Sequence, residues 1–491
     1  MLRGCDKWAI FGAETGRGRR ARTAYQSSPY TDCLANLQRY IENVFRLAPS
    51  MSITEGTPLK RLLVLTALVF CSPAFAQEAM FRGNPQHTGV YSGSAVSKLT
   101  KLKWQFRTKG QVFSSPAVAD GYLYVGSSDH SLYAIDAATG SLKWKFKTDG
   151  RITSSPAVSA GVVYFGSFDS NFYAVDAASG QLKWKFKTAG ERRYAATHLH
   201  GAEPAAETMP DPFDFYLSSP VVANGAVYFG SGDTNIYALD IATGDLKWKF
   251  KTGDVVHASP AIYNDTLFVG GWDSYFYALD VGTGKEKWRF KTGEDPQIHN
   301  QVGIQSSAAI ADGVVYFGCR DSKFYAVDAS TGKQLWFFPN KGSWVIASPA
   351  VYEGKVYFAT SDSGIFHALD AKSGAPIFSL DTKHWPMFSS PAIAGDILYI
   401  GSHEGKLLAI DLKTQKFTWN FQTDGSKQNG ATYTKPDGTP NYEAVFFDFF
   451  YDDMVSGVQK MMSVGAVFSS PVIANGAVYI ASTDGNIYAL I

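Results

Sequence analysis

Cysteine is scarce in this chain, which has four among 491 residues. Cys5, Cys33 and Cys71 lie in the first 76 residues, so Cys319 stands alone in the rest. A single cysteine excludes an intramolecular disulfide, a CxxCH haem-attachment motif and a cysteine zinc site from residues 77–491.

An excess of charge of either sign is also missing. The whole chain has 45 Lys and Arg against 44 Asp and Glu, for a net charge of +1. Without residues 1–76 the balance becomes 35 against 39, which is mildly acidic. Such a chain offers no broad basic field to a nucleic acid, so that class of partner is not expected.

Long apolar runs are limited to Leu62 to Phe70. This run is shorter than the ~20 residues that a membrane-spanning helix needs. Lys60-Arg61 before it and Ala74-Phe75-Ala76 after it give the layout of a secretory signal peptide. The bulky Phe70 before Cys71 departs from lipoprotein signals, which have a small residue there.

These features predict four consecutive parts. Residues 1–50 are interpreted as a disordered upstream extension, with Met51 as the true start, and residues 51–76 as a signal peptide cleaved near Ala76. Residues 77–101 form a lead-in segment. The product is expected to be a soluble periplasmic or secreted protein without a transmembrane segment.

Glycine and aromatic residues are abundant, with 46 Gly, 26 Tyr, 34 Phe and 11 Trp. They belong to a repeated unit that reads SSPAV, VYFGS, YAxD and ATGxLKWKF. The first element of the unit occurs eight times, ending at Pro116, Pro156, Pro220, Pro260, Ala308, Pro349, Pro391 and Pro471. Each unit contains four alternating stretches separated by turn residues, which is the pattern of one four-stranded propeller blade.

The fourth stretch of a unit shows the alternation most clearly. Leu142, Trp144 and Phe146 share one face, and the lysines between them share the other. We expect the apolar face to pack on the neighbouring blade. The lysines are expected to face water and to protect the exposed edge from pairing with another chain.

The two ends of the repeat region complement each other. The eighth unit ends at Ile491 after its third stretch, and the missing fourth stretch stands at the front as Leu102 to Phe106. The sequence therefore predicts an all-β fold: one eight-bladed β-propeller over residues 102–491, of four-stranded antiparallel blades, whose last blade is completed by the N-terminal strand.

A spacing of Ala-x-Asp-x-x-x-Gly-x-x-x-Trp recurs in the units and resembles the tryptophan-docking motif of the quinoprotein-type, or PQQ-like, propeller repeat family. Because these residues repeat, we interpret them as structural. They are Asp136, Gly140 and Trp144; Asp176, Gly180 and Trp184; Asp240, Gly244 and Trp248; Asp280, Gly284 and Trp288; Asp328, Gly332 and Trp336; and the further tryptophans Trp104 and Trp419. The sixth unit has Phe378 in place of the tryptophan.

Function is expected where the repeat is interrupted, at insertions of about residues 189–217, 293–305 and 424–468, which the topology places on one face. Non-repeating residues of this face are candidates for binding a cofactor or planar anionic ligand: Arg193, His198, His200, Trp272, Arg320, Trp344, His384, Trp385, His403 and Glu404. An aromatic stretch in the third insertion is interpreted either as a lid over the channel or as a partner surface: Phe446, Phe447, Phe449, Phe450 and Tyr451. His198 and His200 lack a third ligand at a diagnostic spacing, so no metal site is predicted.

The family resemblance leaves more than one function open, since it includes dye-linked alcohol dehydrogenases, BamB-type envelope assembly factors and sensor domains. A dehydrogenase would need PQQ and Ca²⁺, and the resemblance implies that PQQ stacks between a tryptophan and a disulfide of adjacent cysteines, which this chain lacks. We therefore favour an exported, non-catalytic binding or scaffold propeller, with an envelope protein or small ligand as partner. The alternative is a PQQ- and Ca²⁺-dependent periplasmic dehydrogenase of alcohols or sugars. A sensor or carbohydrate-binding module is suggested only by aromatic and acidic rim residues.

Overall fold

A computed structural model describes residues 79–293, 302–448 and 450–491. The predicted extension and signal peptide, Phe449 and part of the second insertion lie outside the described residues. The described chain forms eight four-stranded antiparallel sheets, in which strands that are consecutive in the chain pair with each other, except for the closing strand of the last sheet. The eight-bladed propeller predicted from the repeats is thus confirmed.

The blades are numbered in chain order, and their strands run from the inner, channel-side strand to the outer edge. Blade 1 has Ala117–Ala119, Tyr122–Ser127, Ser131–Asp136 and Leu142–Lys147; blade 2 has Ala157–Ser159, Val162–Ser167, Asn171–Asp176 and Leu182–Lys187; blade 3 has Val221–Ala223, Ala226–Gly230, Asn235–Asp240 and Leu246–Lys251; blade 4 has Ala261–Tyr263, Thr266–Gly270, Tyr275–Asp280 and Glu286–Lys291. Blade 5 has Ala309–Ala311, Val314–Gly318, Lys323–Asp328 and Gln334–Pro339; blade 6 has Ala350–Tyr352, Lys355–Ala359, Ile365–Asp370 and Pro376–Asp381; blade 7 has Ala392–Ala394, Ile397–Gly401, Lys406–Asp411 and Lys416–Gln422; blade 8 has Val472–Ala474, Ala477–Ala481, Asn486–Leu490 and, from the N-terminal side, Leu102–Arg107.

Blade 8 closes the ring as predicted. Leu102–Arg107 pairs antiparallel with Asn486–Leu490, with Leu102 opposite Leu490 and Arg107 opposite Asn486. The last blade is therefore built from both ends of the repeat region, and the N-terminal strand supplies its outer edge.

The outer strands differ from the prediction in one respect. Leu142 is 47% exposed, although it was expected to share the buried face with Trp144. The reason is a β-bulge: Trp144 pairs with Ala134 and Leu142 with Ile135, so Lys143 is an extra residue on the outer strand. The bulge interrupts the alternation and turns the leucine away from the neighbouring blade.

Each docking tryptophan ties its blade to the next. The indole N–H of Trp144 donates to the carbonyl oxygen of Ala177, at 3.0 Å. Gly180 lies under the same ring at a φ of +72°, and a Cβ there would come within 2.6 Å of it. Only glycine combines this left-handed conformation with such a close approach.

A ring of serines surrounds the channel at the start of the inner strands. The backbone N–H of Ser115 donates to the hydroxyl oxygen of Ser155 in the next blade, at 3.0 Å. The same bond joins seven of the eight neighbouring pairs, and the ring comprises Ser115, Ser155, Ser219, Ser259, Ser307, Ser348, Ser390 and Ser470. These bonds join the starts of the short inner strands of neighbouring blades around the channel.

The lead-in segment crosses the other end of the channel, away from the insertions. Its backbone bonds to the second residue of five inner strands, which are Val158, Ile262, Ile310, Val351 and Ile393. A short 3₁₀ turn, Phe81–Gly83, lies within it. The segment therefore forms a floor that links blades distant in sequence.

The insertions contain the remaining described elements. The first has a two-stranded ribbon, Ala195–Thr197 with Thr208–Pro210, and a 3₁₀ turn, Leu199–Gly201. The third has helix α1, Asp424–Tyr433, a 3₁₀ turn, Tyr442–Ala444, and helix α2, Tyr451–Met462. These elements build the mouth of the channel.

Candidate functional site

The mouth of the channel is lined by the residue that stands two positions before each ring serine. Because side chains two apart on an extended strand point the same way, this residue faces the channel above the serine. The column consists of Phe113, Thr153, Leu217, His257, Gln305, Ile346, Phe388 and Phe468. Its polar members lie in blades 2, 4 and 5, and its aromatic members in blades 1, 7 and 8.

Above the polar side, Arg320 is held between two tryptophans. Its guanidinium carbon lies 4.4 Å from the ring centre of Trp272 and 4.5 Å from that of Trp344. Nη1 donates to Asp211 of the first insertion at 2.5 Å, and Nε and Nη2 donate to Gln305 Oε1 at 3.2 and 2.8 Å. The arginine is 1% exposed, and the Asp211 carboxylate balances its charge inside the protein.

Asp211 joins the first insertion to Arg320. Burial opposes its ionisation, but the charge of Arg320, the nearby His200 ring and the backbone N–H of Phe213 hold the pKa of the carboxyl well below its usual range. His200 Nε2 lies 3.2 Å from the carboxylate, and the His200 ring contacts Trp344. The carboxylate is therefore the centre of the polar cluster.

A second buried ion pair lies one blade away. His257 Nδ1 is 2.7 Å from Asp214, and its Nε2 is 3.8 Å from Glu191. Burial alone would lower the pKa of His257, but the two carboxylates raise it to about 10. Glu191 is fixed by Ser231 Oγ and the Gly232 N–H, at 2.6 and 2.7 Å. His257 is therefore charged at neutral pH.

The other side of the mouth is closed by an aromatic plug. Phe215 of the first insertion stacks on Phe113 at 5.2 Å between ring centres, and it also contacts Phe468 at 5.3 Å. Val458 and Met462 of α2 pack on the same cluster. The first and third insertions thus meet over the channel and bury each other's apolar residues.

The predicted ligand residues fall into separate groups. His200, Trp272, Arg320 and Trp344 belong to the polar cluster described above. Arg193 and His198 lie half-buried on the first insertion. The remaining four lie on the side of blades 6 and 7: His384, Trp385, His403 and Glu404.

Three of these last four are engaged in contacts within the protein, and the fourth, His384, is exposed. His403 is buried between Phe388 and Phe468, each 4.4 Å away between ring centres, and burial lowers its pKa to about 3. The Trp385 indole donates to the carbonyl oxygen of Gly438 at 3.0 Å. Glu404 pairs with Lys406. The structure does not bring the ten residues around one ligand pocket.

The residues at the mouth do not fit PQQ. Trp272 is covered by Tyr194, stacked at 4.5 Å, as well as by Arg320, so it offers no free face for a planar ring. The cavity beneath the plug has a volume of about 40 Å³, which is room for roughly three water molecules. Cofactor-sized ligands need pockets of several hundred Å³ (~300–1,000). In the described ranges no three His, Cys, Asp or Glu side chains form a group that could hold a metal ion.

The outside of the third insertion is different, because it exposes aromatic rings. Phe447 is 69% exposed and Phe450 is 57% exposed. The Asp453 carboxylate accepts the backbone N–H of Phe447 at 2.7 Å, and Lys460 of α2 lies 4.4 Å from the Phe447 ring centre. Phe446 packs against the plug, so the rings of this stretch are divided between the interior and the exposed surface.

Sequence reasoning missed Asp211, Asp214, Gln305 and His257 as site residues. The two aspartates stand in an insertion without periodicity, and nothing local indicates their partners. His257 and Gln305 do leave a signal, since they are polar residues at a column position that is mostly apolar in the other blades.

No helix in the part of the chain that the structure describes is long and apolar enough to cross a membrane. No curated protein gives a significant match to the sequence. Solved structures do match in fold. BamB from Moraxella catarrhalis is 16% identical over 79% of this chain and 99% of its own, with a TM-score of 0.58.

Two dehydrogenases show a similar likeness. The quinohemoprotein alcohol dehydrogenase from Comamonas testosteroni is 16% identical over 84% of this chain and 80% of its own, with a TM-score of 0.60. A europium-containing methanol dehydrogenase is 15% identical over 84% and 91%, with a TM-score of 0.59. At such low identity these likenesses establish the propeller fold alone.

A family model gives the more specific match. The model described as outer membrane protein assembly factor BamB matches residues 93–209, 213–339 and 304–443. These segments cover well over half of the chain and follow the blades from the lead-in to blade 7. The chain therefore belongs to the BamB family of outer membrane protein assembly factors.

Proposed function

We propose that this protein is an exported, non-catalytic binding propeller that presents its insertion face to another protein of the cell envelope. The observation that carries the proposal is the pair of exposed rings on the third insertion, Phe447 and Phe450, at 69% and 57% exposure. Transfer of a large exposed aromatic ring from water into contact with a partner is energetically favourable. Aromatic residues are also enriched at protein–protein interfaces.

The interior of the mouth supports a surface role over a pocket role. Arg320, His257 and the plug fill the space above the serine ring with side chains that bind one another. A planar ligand would have to displace buried ion pairs, which costs several kcal/mol. Recognition is therefore assigned to the rim and the insertions.

The insertion is anchored in a way that suits a docking surface. The Tyr451 hydroxyl donates to the carbonyl oxygen of Pro210, and the Tyr451 N–H donates to that of Glu203, both in the first insertion. Below them, Val458 and Met462 are buried in the plug. A surface held from two sides loses little conformational entropy when a partner binds.

Photo-cross-linking tests the docking surface directly. A photoreactive phenylalanine analogue is placed at Phe447, at Phe450 and, as control, at Phe337, which is 47% exposed on the outer strand of blade 5. We expect the first two positions to give an adduct with the same envelope protein and the control to give none. The proposal is wrong if Phe447 and Phe450 yield no adduct, or only those seen at Phe337.

Two further measurements address the other parts of the proposal. Export predicts that the protein from the periplasmic fraction begins at Gln77. For the enzyme alternative, purified protein is mixed with PQQ and Ca²⁺ and assayed for dye reduction with alcohols and sugars. We expect no turnover; turnover that stops when Ca²⁺ is chelated would replace the binding proposal with the dehydrogenase.

A further inference from the structure

The floor of the channel buries an arginine that has no counter-ion among the described residues. Arg82 is 1% exposed and lies in the lead-in segment. Its Nη2 donates to the carbonyl oxygen of Pro349 at 2.8 Å, whereas Nε and Nη1 have no acceptor in the part of the chain that the structure describes. Among the described residues no carboxylate lies within 4 Å of the guanidinium. A buried charge without a partner is costly, so this arrangement requires compensation.

The guanidinium fits closely into the floor. A Cβ at Gly89 would come within 2.1 Å of Arg82 Nη2 and 3.0 Å of the carbonyl oxygen of Pro391. Gly89 has a φ of +70°, and its N–H donates to the carbonyl oxygen of Arg82 at 3.1 Å. The lead-in therefore bends around the arginine and encloses its charge at the inner strands of blades 6 and 7.

The polar groups nearby do not supply the negative charge. Both ring nitrogens of His87 and the hydroxyl of Tyr91 are buried without a hydrogen bond of normal geometry. Burial, and then the charge of Arg82, lower the pKa of His87 to about 3, so the ring is neutral. Burial raises the pKa of Tyr91 to about 12, so the phenol keeps its proton. The cluster carries one net positive charge and several N–H and O–H donors.

The serine ring adds donors at the next level of the channel. Ser348 and Ser390 stand directly before Pro349 and Pro391, and Phe81, next to Arg82, lines the cavity inside the ring. In the described residues, none of the eight ring hydroxyls donates its proton to a protein acceptor, although seven accept one from a backbone N–H. The hydroxyl protons of the ring are therefore available as donors along this part of the axis.

We propose that the floor of the channel binds one small monovalent anion, of halide size, at the Arg82 guanidinium. One charge matches the single uncompensated cation, and the donor-rich surroundings favour an anion over water or a metal ion. The tight contact of the guanidinium with Gly89 leaves no room there for a phosphate ester or a larger carboxylate. The anion would fasten the lead-in, and through it the five blades to which the lead-in bonds.

Crystallography with bromide locates the ion. Crystals of the full chain are soaked in sodium bromide, and anomalous differences are collected at the bromine edge. We expect a peak in contact with the Arg82 guanidinium that is missing in crystals soaked in sodium gluconate. Peaks confined to surface lysines would mean adventitious ions only and would overturn the proposal.

Thermal unfolding supplies an independent measurement. Wild type, Arg82→Met and the control Arg107→Met, which removes an exposed arginine from the outer strand of blade 8, are melted in sodium bromide and sodium gluconate at equal ionic strength. We expect the melting temperature of wild type and of Arg107→Met to rise with each tenfold increase in bromide, and that of Arg82→Met to stay constant. Equal melting of wild type in the two salts would contradict the proposal. If Arg82→Met does not fold, Arg82→Lys replaces it, with a weaker bromide dependence expected, and the crystals decide independently.

Discussion

The ion pair between Arg320 and Asp211 gives the sharpest prediction about stability. Arg320→Met keeps a long side chain between Trp272 and Trp344 but removes the charge and leaves Asp211 buried without its main partner. Removing one member of a buried pair costs about 3–5 kcal/mol. The lost cation–π contacts, worth ~2 kcal/mol when desolvated, form part of this loss. We therefore expect Arg320→Met to lower the free energy of unfolding by about 3–5 kcal/mol.

The double variant isolates the interaction itself. Asp211→Asn alone leaves Arg320 as the uncompensated charge, and we expect a loss of similar size. In Arg320→Met with Asp211→Asn no charge is left without a partner. The loss of unfolding free energy in the double variant should therefore be smaller than the sum of the two single losses, by about 1–3 kcal/mol. This non-additivity measures the coupling between the two residues.

Equilibrium unfolding in denaturant, followed by circular dichroism and tryptophan fluorescence, provides the four free energies. Arg192 and Asp254 form a matched control, because their 2.8 Å pair lies on the surface with the arginine 49% exposed. Arg192→Met should cost less than about 1 kcal/mol. Additive losses at Arg320 and Asp211, or a loss at Arg320 as small as that at Arg192, would refute the view that the mouth depends on a buried ion pair.

Three further results are expected. The charged His257 ring stabilises the fold fully below the unfolded pKa of ~6.5, and this stabilisation is lost as the pH rises through the folded pKa of about 10. The denaturation midpoint should therefore decrease from pH 6 to pH 8 and again to pH 10, and the decrease should be smaller in His257→Gln. Gly140→Ala should cost more than Gly121→Ala in the same assay, because both have positive φ but only the Cβ at Gly140 meets Trp104, at 2.8 Å. Trp144→Phe should cost at least ~1 kcal/mol, measured the same way, because it loses the bond to Ala177.

The fold could be predicted because the pattern of the four strands of a blade recurs eight times in the sequence. The closing strand followed from a count, since the eighth unit lacks the segment that stands at Leu102 to Phe106. The position of Leu142 could not be predicted from alternation. A bulge depends on how two strands pair, and the extra residue at Lys143 is visible only once Trp144 is opposite Ala134.

The candidate site could be predicted only in part. Arg320, Trp272, Trp344 and His200 were found because they interrupt the repeat on the insertion face, and the structure does bring these four together. Asp211 is 109 residues from Arg320. Their contact depends on the path of an insertion without periodicity, which no local pattern encodes. The floor was missed for the same reason, since the lead-in resembles no other part of the chain.

The two sides of the mouth bear on how a partner is recognised. On the polar side, opening the first insertion would separate Asp211 from Arg320 and Asp214 from His257. Four buried charges would then be exposed to water or left without their partners. On the apolar side, the same movement would pull Phe215 out of the plug and uncover the residues of α2 that pack there. Each side alone would cost several kcal/mol, and both belong to one continuous insertion. The insertions therefore act as a fixed cap, and a partner is expected to meet Phe447 and Phe450 as a preformed surface.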